Sequence, residues 1–422
     1  MTIDQKYIFF EGLKAGVSVK ADAAFFDSLP TILSHWPYEV VAQSGRETFA
    51  SVELKDNRYR LSSPFMEKTE AYRDPLNTIC AIVAELAWLR LREDPSLLCL
   101  HGAAAEYAGR LVVFPATRRA GKSTLSVALT AAGVRMFTDD FLPISIDDKG
   151  IISGISSGIS PRLRLPMPGQ IGPRAKDYLT RRKTISNRQY TYVAPLKTEN
   201  AHFGEAAPIG AVVFLDRQDD ATPALTEISK AEALKTLIKQ NFSRAGKADD
   251  ILEMLAFLAR NLPVYLLRYN EAEPAIDILA HKFTGWADTP LSPYHPSGEL
   301  GNDIKDGLRK FTVYRDVSVG QFEQAEGVRV VASDGQRFLT GRNGQSIHYL
   351  NEGAAMIWQI LSEPASVDET VEILLAAFPE QERAQIEQDV RRSFLAFAKN
   401  GLLHKLDTAG PAGQAAAEMV AE

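Results

Sequence analysis

The chain has 422 residues, 45% of them hydrophobic and 24% charged, with a net charge of -6. That length fits two to three domains with sizeable cores, and an acidic balance excludes a global electrostatic footprint for nucleic acid, so any basic site is local. Cys80 and Cys99 are the only cysteines; they have neither metal-ligand spacing nor the density of a disulfide framework, and both are expected in the core. The start, Met1 to Lys6, is polar where a signal peptide needs a basic end and an apolar run, and no apolar stretch is long enough to span a bilayer. The expected compartment is the cytoplasm, with no membrane partner.

Residues 1–75 alternate short apolar runs with turn residues, as at Tyr7–Phe10, Tyr38–Val41 and Phe49–Leu54, which predicts strands of a mixed sheet. Asn77 to Arg92 places Ile79, Ile82, Val83, Leu86 and Leu89 at the spacing of an amphipathic packing helix. Leu97–Leu100 reads as a buried strand ending at His101-Gly102, and strand ends are where open parallel sheets collect ligands.

The stretch from Leu111 to Thr124 organises the chain. An apolar strand runs into Ala116, Thr117, Arg118, Arg119 and Ala120, the loop closes on Gly121-Lys122-Ser123, and a helix opens at Thr124 with Leu125, Ala128 and Leu129 on its buried face. This is the P-loop order. Successive backbone N–H groups wrap a polyphosphate, Lys122 supplies a cation to the outer phosphates, the Ser123 hydroxyl faces Mg²⁺, and the helix dipole adds its field. Ala116 stands where the consensus has its first glycine, a small residue that can still turn.

Gly133 closes that helix, and Arg135–Thr138 forms a strand ending at Asp139-Asp140. Two adjacent carboxylates beside a P-loop divide labour: one holds Mg²⁺ directly or through water, the other accepts a proton from an attacking hydroxyl. The roles within the pair stay open. The order His101-Gly102, strand, Gly121-Lys122-Ser123, helix, Arg135 to Asp140 resembles the catalytic core of HPr serine kinase/phosphorylase, well over residues 95–145 and weakly to 280. The resemblance implies that the loop, with Lys122 and Ser123, binds ATP or another phosphate donor with Mg²⁺, and that His101, Asp139 and Asp140 surround an attacking serine hydroxyl. The family's later segment containing Glu and Arg-Gly, tied to phosphorolysis, is missing, so kinase activity alone is carried over.

In the middle of the chain, Arg174, Lys176, Arg181, Arg182, Lys183 and Arg188 read first as a solvated loop. The competing reading is an anion-gripping loop that closes over the nucleotide or an acidic peptide, with Arg162 or Arg164 as the candidates, because guanidinium pairs bidentately with phosphate. Gly210–Leu215 is a buried strand, Ala231–Gln240 a helix, Asp250 the cap of a helix with the stripe Ile251, Leu255 and Leu258, and Pro263–Leu267 a closing strand. Strands alternating with helices predict a mainly parallel sheet, an α/β core in a chain that is α+β as a whole.

Residues 286–309 are expected to link this core to a last domain at 310–405. There Phe311–Tyr314, Arg337–Thr340 and Ser346–Leu350 read as strands, followed by three helices: one after Asn351, one opening on the capping box Ser366 to Glu369, and one over Gln381–Asn400. This is a winged-helix-like unit. The third helix mixes Glu387 and Asp389 with Arg391 and Arg392 and has no basic face for DNA. The segment Leu350–Leu361, with Asn400-Gly401-Leu402-Leu403, strongly resembles PqqD. The resemblance implies that the leader of a ribosomally made precursor peptide adds as a strand to the sheet edge and lays apolar side chains beside the third helix. By position the groove would lie between the strand near Ile347, Tyr349 and Leu350 and the helix carrying Arg391, Phe394 and Leu395, with the division of these side chains between groove and core left open. The tail at 406–422 reads as disordered.

The domains expected are therefore an N-terminal mixed region (1–94), an HPr kinase-like core (95–285), a linker and a PqqD-like domain. Together they predict an ATP-dependent kinase acting on a Ser or Thr hydroxyl of a captured precursor peptide. Carboxylate activation or nucleotidyl transfer, and a non-catalytic nucleotide-gated scaffold, are the rival readings. Assembly as a homo-oligomer or with other enzymes of the same pathway is left open.

Overall fold

A computed structural model of the chain describes residues 3–115, 120–243, 248–286, 290–295, 312–341 and 346–406. The chain divides into two compact units, one of residues 1–228, 239–245 and 261–297, the other of residues 229–238, 246–260 and 298–422.

The first unit opens on strands β1 (Lys6–Phe10) and β2 (Gly16–Lys20), helix α1 (Ala23–Ile32), strands β3 (Tyr38–Val41), β4 (Thr48–Lys55), β5 (Arg58–Ser62) and β6 (Glu70–Tyr72), and helix α2 (Pro75–Glu93). The strands form one mixed sheet in the order β3-β1-β2-β4-β5-β6, its single parallel pair being β2 with β4. Helix α1 was not among the expected elements: Asp22 caps it by accepting from Phe25 N, and Phe25, Leu29 and Ile32 bury one face. Helix α2 starts where Asp74 accepts from Asn77 N at 2.9 Å with Pro75 in the first turn, and ends on Arg90 and Arg92, whose charge complements the helix C-terminus.

The second sheet is built from β7 (Leu98–Tyr107), β8 (Arg110–Pro115), β9 (Arg135–Thr138), β10 (Phe141–Ile146), β11 (Ile152–Ile155), β15 (Ala206–Arg217), β16 (Ala224–Glu227) and β17 (Val264–Tyr269), in the order β11-β10-β7-β8-β15-β17-β16 with β9 also on β7. The expectation of a mainly parallel sheet is corrected. Among the described residues only β8–β15 and β15–β17 pair in parallel in this sheet, because β7 and β8 form a hairpin and β9, β10, β11 and β16 all return antiparallel. The edge at one end is β16, beyond β17. Helix α3 (Lys122–Ala131) follows β8, and helix α4 (Pro173–Thr180), a three-stranded sheet of β12 (Arg162–Arg164), β14 (Tyr190–Val193) and β13 (Thr184–Ser186), and helix α7 (Ala272–Phe283) complete this unit. The basic middle stretch is thus structured, and Arg182 pairs with Glu199 with both side chains largely buried.

The second unit holds helices α5 (Lys230–Gln240, up to residue 238) and α6 (Ala248–Asn261, up to residue 260) together with strands β18 (Phe322–Gln324), β19 (Val330–Ser333), β20 (Gln336–Thr340) and β21 (Ile347–Leu350), helices α8 (Glu352–Ile360), α9 (Val367–Ala377) and α10 (Arg383–Lys399), and strand β22 (Leu403–Lys405). Helix α6 begins at Ala248, so Asp250 lies in its first turn rather than at its cap. The strand expected at Phe311–Tyr314 is corrected: residues 312–314 are irregular, Phe311 lies outside the described residues, and β18 pairs instead with β22. The capping box is present, with Ser366 N donating to Glu369 at 2.7 Å and Glu369 N donating to Ser366 Oγ at 3.2 Å. Of the expected linker only residues 290–295 are described, and the tail from 407 lies outside the described residues.

Candidate active site and peptide groove

His101 lies inside β7, not at a strand end. Strands β9 and β10 run successively against the same edge of β7, β9 opposite Ala104–Glu106 and β10 opposite Leu98–His101, and Asp139-Asp140 is the two-residue break between them. The carboxylates are therefore fixed by a sheet ladder on both sides. Gly102 N donates to the Asp140 carbonyl at 2.8 Å, which pins the break beside His101. Gly102 itself sits where the P-loop strand turns away: a Cβ there would stand 3.1 Å from the Phe114 carbonyl oxygen and from Pro115 Cα.

The P-loop side meets this break directly. Gly121 has φ of 92°, and a Cβ on it would meet the Tyr269 hydroxyl at 2.6 Å, so both backbone and space require glycine. Helix α3 then starts at Lys122, which is buried. Ser123 lies close enough to Asp139 to lower its pKa, and Asp139 accepts from Arg162 N at 3.0 Å. Asp139 is 7% exposed. Burial, with the Asp140 charge adding, pushes its carboxyl up to about 6 against the pull of the Arg162 N–H, the Arg162 charge and Ser123.

Asp140 is half-exposed and stands between His101 and Arg162. Its Oδ1 is 3.2 Å from His101 Nε2 and its Oδ2 3.6 Å from the Arg162 guanidinium. Desolvation works to raise its pKa, but the His101 hydrogen bond and the charges of Arg162, His101 and Lys122 outweigh it and hold the carboxyl below its ordinary value. The two neighbours are thus driven apart, the pattern that separates acid and base roles in paired carboxylates.

Arg162 sits on β12 opposite Tyr192, with its guanidinium 4.7 Å from the Tyr190 ring centre and donating to the Cys80 sulfur. The side chain is committed to holding a carboxylate, so the expectation that it grips nucleotide phosphate is not matched by its contacts. Arg164 is exposed and rests over Tyr190. Cys80 is only half-buried, unlike Cys99. Of the predicted loop residues, Ser123 and Lys122 act on Asp139 and Asp140, Ala120 O accepts from the Tyr269 hydroxyl at 3.4 Å, and Ala116, Thr117, Arg118 and Arg119 lie outside the described residues. Sequence reasoning missed Gln240, Cys80, Tyr190, Tyr192 and Tyr269. Each arrives from a distant segment without a local motif.

Asp139, Asp140 and Ser123 offer oxygen donors of the hard kind that Mg²⁺ takes alongside phosphate oxygens. Among the described residues no group of three or more His, Cys, Asp or Glu side chains is placed to hold a metal ion, so these donors form no complete site by themselves.

The second site is a groove of about 640 Å³ between β21 and α10. Leu350, Ile357, Leu374, Ile386 and Phe397 give it an apolar floor, and Gln385, Asp389, Arg392 and Asn400 line its rim. Asp389 accepts from Arg392 at 2.5 Å and from Gln385 at 2.8 Å, so the rim is tied to itself. Among the described residues β21 pairs with β20 on one side only. Burial lowers the pKa of His348, which contacts Ser346 Oγ at 2.9 Å.

Residues 338–403 match PqqD, coenzyme PQQ synthesis protein D. The PqqD segment thus contains β21, the three helices and every residue lining the groove. No curated protein matches the chain. Among solved structures the chain is similar to the HPr(Ser) kinase/phosphatase of Coxiella burnetii, at 10% identity over 44% of this chain and 93% of that one, with a TM-score of 0.22. A score that low leaves the reading of the carboxylate site to its own geometry.

Of the six residues expected to form the groove, Tyr349 and Leu350 line it. Phe394 is fully buried, packed edge-on against Phe322 in the domain core. Arg391 and Leu395 are exposed, and neither they nor Ile347 line the groove. At about 100° per residue on a helix, a shift of one position moves a side chain off the groove face, and the lining set on α10 is Gln385, Ile386, Asp389, Arg392, Ser393, Ala396, Phe397 and Asn400.

Proposed function

We propose that the chain is an ATP-dependent kinase that phosphorylates a Ser or Thr hydroxyl on a ribosomally made precursor peptide, captured through its leader by the PqqD domain. What supports this reading is that Ser123 and Lys122, at the start of α3, lie close enough to Asp139 and Asp140 to lower their pKa values. Lys122 and the N–H groups at the start of α3 bind the donor's outer phosphates. Ser123 and Asp139, with Asp140 beside them, would hold Mg²⁺, which would neutralise charge on those phosphates.

Asp140 faces the acceptor. It is the more accessible carboxylate, and His101 and Arg162 fix its orientation. The acceptor hydroxyl oxygen forms a bond to the γ-phosphorus as the bond from that phosphorus to the bridging oxygen of ADP breaks, and the hydroxyl proton passes to Asp140. Most of the acceleration comes from alignment and charge neutralisation, so a weakly basic carboxylate suffices. The groove captures the leader by strand addition to β21 and apolar anchors on the floor, and tethering raises the local acceptor concentration to about the mM range.

The test is incubation with ATP, Mg²⁺ and the short peptides encoded beside the gene, read by mass spectrometry and by nucleotide analysis. The expected result is a gain of one phosphoryl group with ADP as by-product. Pyrophosphate release, or no mass gain on any neighbouring peptide, would overturn the reading.

A further inference from the structure

His101 is held from both sides. Its Nε2 meets Asp140 at 3.2 Å, and its Nδ1 meets the Gln240 side-chain oxygen, also at 3.2 Å. Gln240 is 139 residues away in sequence and 6% exposed. A buried amide needs its hydrogen bonds made, and this one is spent on the imidazole.

The backbone around Gln240 is fastened to the strand that carries His101. Asn241 bridges Leu100, Phe242 N donates to the Cys99 carbonyl at 2.8 Å, and Cys99 N donates to Ser243 Oγ at 2.7 Å. Phe242 stacks on Trp88 with ring centres 4.2 Å apart and lies near-parallel to Phe141 at 6.3 Å. Phe141 is the residue after Asp140 and pairs with His101 in the ladder. Gln240, His101 and Asp140 are thus mounted on one block. A histidine with a partner on only one nitrogen can swing about its side-chain torsions, whereas one gripped at both nitrogens keeps its ring plane.

We infer that Gln240 is a positioning residue: its amide fixes the His101 imidazole so that Nε2 stays aimed at Asp140. The inference rests on the kinase reading for its effect on rate, but its geometry stands apart from that reading. Gln240→Met keeps length and volume and deletes the amide; Gln240→Glu keeps an oxygen at the same reach.

Two measurements on the full chain test it. In phosphorylation assays, Gln240→Met is expected to lower kcat by roughly ten- to a hundredfold, the scale of a small misplacement of a catalytic group. KM for ATP and peptide and the melting temperature are expected to hold, and Gln240→Glu to restore most of the rate. In nitrogen-resolved NMR of the imidazole, which needs no activity, Gln240→Met is expected to shift the His101 Nδ1 signal and Gln240→Glu to retain a hydrogen-bonded one. An unchanged kcat together with an unchanged Nδ1 signal would overturn the inference, as would a loss of rate that tracks a loss of folded protein in both variants. If no peptide is ever phosphorylated but the NMR shift occurs, the kinase reading fails and the Gln240–His101 pairing survives.

Discussion

The carboxylate cluster and the groove solve opposite problems. The cluster is assembled from β7, the β9–β10 break, the start of α3 and β12, and its charged groups are committed to one another: Asp139 to Ser123 and Arg162, Asp140 to His101 and Arg162. The groove is assembled from one continuous stretch, residues 348–402, and is a broad apolar floor with a self-paired rim. Reaction chemistry needs charges fixed before the substrate arrives. Recognition of a flexible peptide needs apolar area and an open strand edge, with less demand on exact placement.

If the two sites are divided in this way, damage to each has its own signature. The largest effect is expected from Asp140→Asn, which deletes the proton acceptor and the His101 and Arg162 charge partner. Phosphorylation should fall about a thousandfold, while peptide affinity, followed by fluorescence anisotropy of a labelled leader, stays within about twofold. A parallel loss of affinity would merge the two sites.

Next comes a stability effect of opposite sign to its activity effect. The Asp139 carboxyl is raised to about 6 in the folded chain, above its ordinary 3.8. The folded state therefore holds the proton more tightly, and this contribution is fully present below the unfolded pKa and lost as pH rises through about 6. Above that, ionised Asp139 costs the metal-free chain up to about 3 kcal/mol. Asp139→Asn should raise the melting temperature at pH 7 to 8 without Mg²⁺, with the gain shrinking toward pH 4, and should abolish phosphorylation. A melting temperature that does not respond to this change at neutral pH would show the carboxylate is not strained by burial.

The groove is probed by Ala396→Trp, at an exposed position on its lining face. Filling the space should raise KM for the leader-bearing peptide by about thirtyfold, roughly 2 kcal/mol of lost burial, with kcat at saturation preserved. A short leaderless acceptor should be turned over as before, which sharpens the separation of capture from chemistry. The smallest effect is expected from Ser366→Ala, which removes the α9 cap and should cost the PqqD domain about 1 kcal/mol in chemical denaturation without altering kcat.

The same contrast governs what could be read in advance. Leu350–Leu361, the capping box and the stripe Ile386, Val390, Phe394 and Phe397 lie close in sequence, and the helices formed where their periodicity put them. What stayed open was the facing: Phe394 went to the core and Arg391 to solvent, because the line between core face and groove face depends on where β21 and α8 pack against α10. In the first unit the Gly121-Lys122-Ser123 turn and the Asp pair were legible, whereas α1 was overlooked beneath the strand pattern and the sheet was taken for mainly parallel.

By itself the sequence marked most of the helices, the α9 capping box, the Gly121-Lys122-Ser123 turn and the Asp139-Asp140 pair, since periodicity, caps and strand–turn–helix order are properties of neighbouring residues. Tertiary structure alone decided that β9 and β10 share one edge of β7, that Asp139 is buried against Ser123 while Asp140 is turned toward His101 and Arg162, and that Gln240 closes on His101. Those pairings join residues tens to more than a hundred positions apart. They are set by which faces exclude water together, a property of the packed chain that no local window contains.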